Sequence, residues 1–203
     1  MRIDATFVRS AAVAADFPRD TAAEIALVGR SNVGKSTLIN ALVRQRVART
    51  SGEPGKTRLA NIYRVVRDGA RPLYLVDLPG YGYARGRDAA REFDAVTRAC
   101  FGEIGQAGPT GALLLVDARH PGLESDIAAW QWLREATDSA AIVATKIDKL
   151  ARGERIRAMR ELESVFEHPV APVSARTGEG LDELWKVIDR LATSNSSRSR
   201  RHR

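Results

Sequence analysis

The sequence has a single cysteine, Cys100, so no disulfide can close within the chain. That fits a reducing compartment and a buried, apolar role for Cys100, which no Cys-centred catalytic motif surrounds. Long apolar runs are also missing. The longest, at residues 112–116 and 140–144, have the length of strands and fall far short of a membrane span. Residues 11–15, flanked by Arg9 and Asp16, are too short for a signal-peptide core. These absences predict a cytoplasmic protein with no membrane segment. Acidic residues are absent from the last eleven positions, 193–203, which carry Arg198, Arg200, Arg201 and Arg203. Without that stretch the net charge falls from +7 to +3, so the rest of the chain is only mildly basic. A Ser/Arg segment with almost no apolar residues cannot bury a core. It is expected to be a flexible tail, which serves either an anionic partner such as a phosphate backbone or simple solubility.

What is present is ordinary globular material. At 203 residues with 44% apolar composition, the chain predicts one domain. Its expected bounds are 24–192, with residues 1–23 as an N-terminal extension and 193–203 as the tail. No internal repeat occurs, and a monomer is expected. Short apolar runs at 24–28, 59–66, 73–77, 112–117, 140–145 and 170–173 read as strands buried on both faces. Between them, Ile127, Trp130 and Leu133 recur with helical period. So do Ile156, Met159, Leu162 and Phe166, and again Leu181, Leu184, Trp185, Ile188 and Leu191. Strand–helix alternation predicts an α/β sandwich around a largely parallel sheet, with function in the loops at the carboxyl ends of the strands.

The first of those loops carries Gly29-Arg30-Ser31-Asn32-Val33-Gly34-Lys35-Ser36, between an apolar strand and the helical run that begins at Thr37. This G-x-x-x-x-G-K-S in its required setting is a phosphate loop. Glycines let successive backbone N–H groups point inward, and the helix N-terminus adds positive potential. Lys35 is expected to neutralise β- and γ-phosphates, and the Ser36 hydroxyl to coordinate Mg2+. The strand at 73–77 ends in Asp77-Leu78-Pro79-Gly80. Asp77 there can hold the metal through a water, and Gly80 can bring a bare N–H to the γ-phosphate. Between them a threonine sensing metal and phosphate together is expected. Thr57 of Pro54-Gly55-Lys56-Thr57 is one candidate and Thr50 the other. If Thr57 is a metal ligand, hydrolysis releases its loop and makes a switch. Thr145-Lys146-Ile147-Asp148 follows the strand at 140–144. The Asp148 carboxylate can accept from N1–H and N2–H₂ of guanine but meets a lone pair on adenine N1. Lys146 can lay its stem along the base. Val173-Ser174-Ala175 can present an N–H to guanine O6. Thr145 stands where Asn is more widespread, and can replace the Asn contact near guanine N7 only in part.

Together GRSNVGKS at 29–36, PGKT at 54–57, DLPGYGYA at 77–84, VDARHP at 116–121, TKID at 145–148 and SA at 174–175 resemble the EngB (YihA/YsxC) family of bacterial GTP-binding proteins. The resemblance implies a Ras-like P-loop GTPase sandwich: a six-stranded, mostly parallel sheet with one antiparallel strand and helices on both faces. It also implies binding of GTP and GDP, and a part in assembly of the large ribosomal subunit, through that subunit or its rRNA, with effects on septation and cell division. Hydrolysis would rest on Lys35, Thr57 and Gly80. Tyr81 occupies the place where many GTPases keep a water-orienting Gln, so slow turnover is expected. Asn32 is either a K+-holding residue, as in related potassium-stimulated GTPases, or a turn former. Tyr81, Tyr83, Arg85 and Arg87 are expected to meet a partner. Asp117, Arg119 and His120 belong to the shared pattern but receive no role. Two other functions share part of the pattern: a GTP-binding RNA tether with negligible hydrolysis, and a P-loop kinase.

Overall fold

A computed structural model describes residues 2–18, 20–49, 59–81, 95–102 and 109–194. Seven strands form one sheet: β1 (Ile3–Ala11), β2 (Ala23–Gly29), β3 (Ala60–Arg67), β4 (Leu73–Asp77), β5 (Gly111–Asp117), β6 (Ala140–Thr145) and β7 (Val170–Pro172). Their spatial order is β1-β3-β4-β2-β5-β6-β7. The strand pairs β2–β4, β2–β5, β5–β6 and β6–β7 are parallel, while β3 runs antiparallel to both its neighbours. The helices are α1 (Lys35–Val43), α2 (residues 95–101), α3 (Glu124–Ala136), α4 (Arg152–Phe166) and α5 (Leu181–Ser194).

Alternate residues of the central strands feed two cores, as a sheet buried on both faces requires. Ile25, Leu27, Leu113, Leu115 and Val143 face Leu38, Ile39 and Leu42 of α1 and Leu184, Trp185 and Ile188 of α5. Ala26, Val28, Leu114, Val116 and Ile142 face Val96 and Cys100 of α2, Trp130 and Leu133 of α3, and Leu162 and Phe166 of α4. Cys100 is therefore a buried thiol. Trp185 is a packing residue. Its indole N–H donates to the Leu42 carbonyl at 3.3 Å, and Arg67 lies 4.0 Å over its ring while pairing with Asp189. This ties α5 to α1 and to β3. Ile156 departs from the expected face of α4 and is exposed, because it lies well round the helix from Leu162.

The sheet has seven strands where six were expected. The additional one is β1, in the stretch read as an N-terminal extension of the domain. It pairs with β3 from Ile3↔Arg67 to Ala11↔Ala60, with a bulge between Phe7 and Arg9. Only Ile3, Ala5 and Ala11 of its nine residues are buried, so this edge strand leaves no apolar run in the sequence. At the other end α5 continues through Ser194, two residues past the expected boundary at 192. The Thr193 hydroxyl lies within hydrogen-bonding distance of the carbonyls of Asp189 and Arg190, which holds it to the helix rather than to a free arm.

Glu24, the second residue of β2, is half-buried. Burial, and then the nearby charge of Asp20, push its pKa up from 4.5 to about 7. A carboxylate disfavoured in the fold contributes least when ionised, so its stabilisation is present below the unfolded value and is lost as pH rises through 7. Glu24→Gln removes that dependence. The melting temperature of the variant relative to the parent chain is expected to rise between pH 5 and pH 8. A difference that stays constant across this range refutes the assignment.

Candidate guanine nucleotide site

Because β2, β4, β5 and β6 are parallel, their carboxyl ends meet at one edge of the sheet, and each ends at a residue singled out in the sequence. β2 ends at Gly29, where a Cβ would lie 2.8 Å from the Leu115 carbonyl oxygen. The following loop turns through two left-handed residues, Asn32 at φ 63° and Gly34 at φ 111°, before α1 begins. Val33 between them is buried in the core and anchors the loop. Lys35 is only 8% exposed, and its ammonium donates back into the loop, to the carbonyls of Gly29 (2.8 Å) and Arg30 (3.2 Å). Burial pushes its pKa down, and the Asp77 charge opposes that.

Asp77 ends β4 at 2% exposure. One carboxylate oxygen, Oδ2, accepts from the Ser36 hydroxyl at 2.6 Å, while Oδ1 is buried with no hydrogen-bond partner. Burial raises its pKa, against the pull of Lys35 and Ser36. A hydroxyl, a carboxylate oxygen and an orphaned oxygen beside a phosphate loop fit a hard divalent cation that takes its other ligands from phosphates and water. Among the described residues there is no group of three or more His, Cys, Asp or Glu that could hold a metal ion.

Past Asp77, Leu78 is fully buried and its N–H donates to the Leu27 carbonyl at 3.3 Å. After Pro79, Gly80 lies directly against the phosphate loop, where a Cβ would come within 2.6 Å of the Ser31 nitrogen. The Ser31 N–H donates to the Tyr81 carbonyl at 3.0 Å and the Ser31 hydroxyl to the Gly80 carbonyl at 3.2 Å. Arg30 and Tyr81 thus form a one-residue parallel bridge. The Tyr81 hydroxyl, expected to face a partner, instead turns inward and donates to Asp126 at 2.8 Å, with Arg30 Nε 3.3 Å from the same oxygen. Asp126, in the first turn of α3, is 1% exposed.

At the base-reading end, Thr145 is buried and its hydroxyl lies 2.9 Å from the Val33 carbonyl and 3.1 Å from that of Val116. Its place is a strut under the phosphate loop. Lys146, in a left-handed conformation at φ 61°, donates to the Asn32 carbonyl at 2.7 Å and to Asp117 at 2.9 Å. Asp148 accepts from the Ser174 hydroxyl at 2.7 Å, and its other oxygen is buried without a partner. The Ser174 hydroxyl in turn accepts from the Thr177 N–H at 3.1 Å, while Val173, the residue after β7, is fully buried. Ala175 borders a cleft of about 620 Å³ shared with Thr37, Asn40, Ala41 and Arg44 along α1.

The structure therefore brings together Lys35, Ser36, Asp77 and Gly80 at one end, and Lys146, Asp148, Ser174 and Ala175 at the other. Thr50, Gly55, Lys56 and Thr57 lie outside the described residues, as do Tyr83, Arg85 and Arg87. Sequence reasoning missed Asp126. It also missed Asn40, whose amide group exchanges two 2.8 Å hydrogen bonds with the backbone of Ala48 and pins the start of the loop after α1. A carboxylate or amide on a helix has no local signal of this kind.

Such a sheet, with a phosphate loop tied to a TKxD loop at its carboxyl edge, defines a P-loop guanine-nucleotide-binding protein of Ras-like fold. A family model described as "50S ribosome-binding GTPase" matches residues 24–147. The "Probable GTP-binding protein EngB" of Pelotomaculum thermopropionicum is 42% identical over 193 residues, covering 92% of this chain and 94% of that one. The chain belongs to the EngB family of GTP-binding proteins, among the ribosome-binding GTPases, whose general activity is GTP hydrolysis. A solved structure of "a probable GTP-binding protein engB" superposes with a TM-score of 0.65 at 25% identity, over 84% of this chain and 98% of that one. Era of Aquifex aeolicus bound to GDP.AlF4- shares the fold, with a TM-score of 0.74 at 24% identity over 85% of this chain and 57% of Era. Among the described residues no helix is long and apolar enough to cross a membrane.

Gly80→Ala tests the contact between Gly80 and the phosphate loop. Its methyl would collide with backbone, which cannot swing aside as a flexible side chain can. Hydrogen exchange at the Ser31 amide is expected to rise about tenfold in the variant, with exchange in α5 unchanged. Unaltered protection of Ser31 rejects the contact.

Proposed function

We propose that this chain is a GTP-operated switch in the cytoplasm that binds GTP and GDP with Mg2+, hydrolyses GTP slowly and acts in assembly of the large ribosomal subunit. The observation that carries this reading is the pair of bonds joining the two half-sites, Thr145 to Val33 and Lys146 to Asn32. They hold the phosphate loop and the base-reading loop in one rigid frame, as a single nucleotide spanning both requires. Ser36 and Asp77 would hold Mg2+, which supplies positive charge against the β- and γ-phosphates. Lys35 adds a second positive charge, and the amide of Gly80 a hydrogen bond, where charge develops as water attacks in line. Thr57 would complete the metal ligands and couple its loop to the γ-phosphate. Slow turnover is expected because Tyr81 stands where many GTPases keep a water-orienting Gln and its hydroxyl is engaged with Asp126. That same feature favours the second reading, a GTP-dependent tether to RNA or ribosome with negligible hydrolysis.

The family description and the resemblance to EngB sequences support the large subunit or its rRNA as partner, and a requirement in septation follows from that resemblance alone. The arginine-rich end would add attraction to an anionic partner, with the chain acting as a monomer. Asn32 keeps both its readings. Its left-handed backbone suits a turn former, and the K+ reading rests on its place in the phosphate loop and the likeness to potassium-stimulated GTPases. Turnover in potassium and sodium buffers, for the parent chain and Asn32→Ala, decides between them. Potassium stimulation lost in the variant supports the ion, and equal rates dismiss it.

Co-sedimentation with large ribosomal subunits tests the switch. Binding is expected with a GTP analogue and not with GDP, and to weaken when residues 195–203 are removed. Binding that ignores nucleotide rejects the switch. Single-turnover hydrolysis in the presence of subunits separates switch from tether. Base recognition has its own test in Asp148→Asn. The amide offers donors where guanine offers donors, so GDP affinity is expected to fall on the order of a hundredfold, while xanthosine diphosphate, with an acceptor at that position, gains. Calorimetric titration with both nucleotides and ADP reads the outcome. An unchanged preference for GDP removes Asp148 from the base site.

A further inference from the structure

Asp117 is the last residue of β5 and pairs in register with Thr145, the residue before Lys146. It is 3% exposed, yet four donors converge on its carboxylate. Arg119 gives three of them: its backbone N–H at 3.1 Å and Nε at 2.9 Å to Oδ1, and Nη2 at 2.7 Å to Oδ2. Lys146 gives the fourth, at 2.9 Å to Oδ2. The acceptor capacity of a carboxylate is thereby filled. Burial alone would raise the Asp117 pKa, but the hydrogen bonds from Arg119 and Lys146 outweigh it and hold the group well below the usual carboxylate range. The fork of Arg119 is fixed in plane by its two bonds, so Asp117 cannot rotate. Lys146 is fixed in turn, with its ammonium held between Asp117 and the Asn32 carbonyl and its backbone in the left-handed region. A lysine in that conformation carries strain that its surroundings must over-determine.

We infer that Asp117, clamped by Arg119, is a positioning residue for guanine nucleotides: it fixes the Lys146 side chain between the phosphate loop and the base, and so sets how slowly the bound nucleotide leaves. The inference rests on the reading of Lys146 as the residue lying along the base. It gives a task to two members of the VDARHP stretch for which the sequence offered none. The ligand class is a guanosine di- or triphosphate, and the step controlled is release. A positioned lysine loses no rotamer freedom when the base arrives, whereas a free one must be ordered at each binding event.

The test is a double-mutant cycle read as GDP dissociation, with a fluorescent GDP chased by excess unlabelled GDP. Asp117→Asn places amide donors against the Lys146 and Arg119 donors, and is expected to speed release about tenfold. Arg119→Ala leaves the carboxylate and removes its clamp at a partly exposed side chain. It is expected to speed release about threefold. In a Lys146→Ala background both substitutions are expected to change release by less than twofold, because the group they act through is gone. Melting of the nucleotide-free variants measures folding separately, and Arg119→Ala carries the test if Asp117→Asn does not fold. If Lys146→Ala speeds release while neither other variant does, the inference fails and the base-site reading stands. The inference also fails if the two substitutions act equally with and without Lys146. If Lys146→Ala itself leaves release unchanged, the placement of Lys146 at the base falls, and this inference falls with it.

Discussion

Lys35 is almost wholly buried, and an ammonium group can be held there only if oxygen atoms surround it and negative charge lies near. The surrounding oxygens are the carbonyls of Gly29 and Arg30, which point inward because the chain curls through the left-handed residues Asn32 and Gly34. The negative charge is Asp77, brought there by the parallel pairing of β4 with β2. Remove the pairing, and the ammonium has no partner across the sheet edge. Remove the curl, and it has no shell. The rest of the site is arranged around this one buried cation.

Among the buried oxygens left without a hydrogen-bond partner are Asp77 Oδ1 at one end and Asp148 Oδ2 at the other. A buried acceptor without a donor costs about 1–3 kcal/mol, so a fold keeps such atoms only where something else holds them in place. Here Ser36 and Ser174 each hold the other oxygen of the same carboxylate. Each aspartate is thus oriented by a neighbouring hydroxyl, with one oxygen left to the ligand. The two ends are chemically different: a buried cation beside a carboxylate and a hydroxyl at one, a carboxylate acceptor at the other, as the proposed nucleotide reading requires.

Between them run struts that tie the two ends together. Thr145 supports the phosphate loop through Val33, Lys146 through Asn32, and Asp126 gathers Tyr81 and Arg30 onto α3. The last of these links the DxPG turn to the phosphate loop by both backbone and side chain, since Ser31 also donates to the Tyr81 carbonyl. Ser31, Tyr81 and Asp126 thus form a bonded series from the phosphate loop to α3.

By itself the sequence determined six of the seven strands, the faces of α3 and α5, and both ends of the nucleotide site. Each of these is written locally: continuous apolar runs for strands buried on both sides, a 3.6-residue period for helices, and short motifs whose chemistry depends on neighbours in the chain. Only the tertiary structure decided the rest. β1 is a strand because β3 offers it an edge, not because its own residues alternate. Ile156 is exposed because the packing of α4 chooses one face among several the sequence permits. Asp126, Asn40 and the Asp117–Arg119 clamp became visible only once the sheet had placed their partners beside them. Those of Asp126 span tens of residues, that of Asn40 only eight, and the short one between Asp117 and Arg119 gains its meaning from Lys146. Local pattern fixes what a segment can be, whereas the pairing of buried polar groups is settled by the fold, where leaving them unpaired is costly.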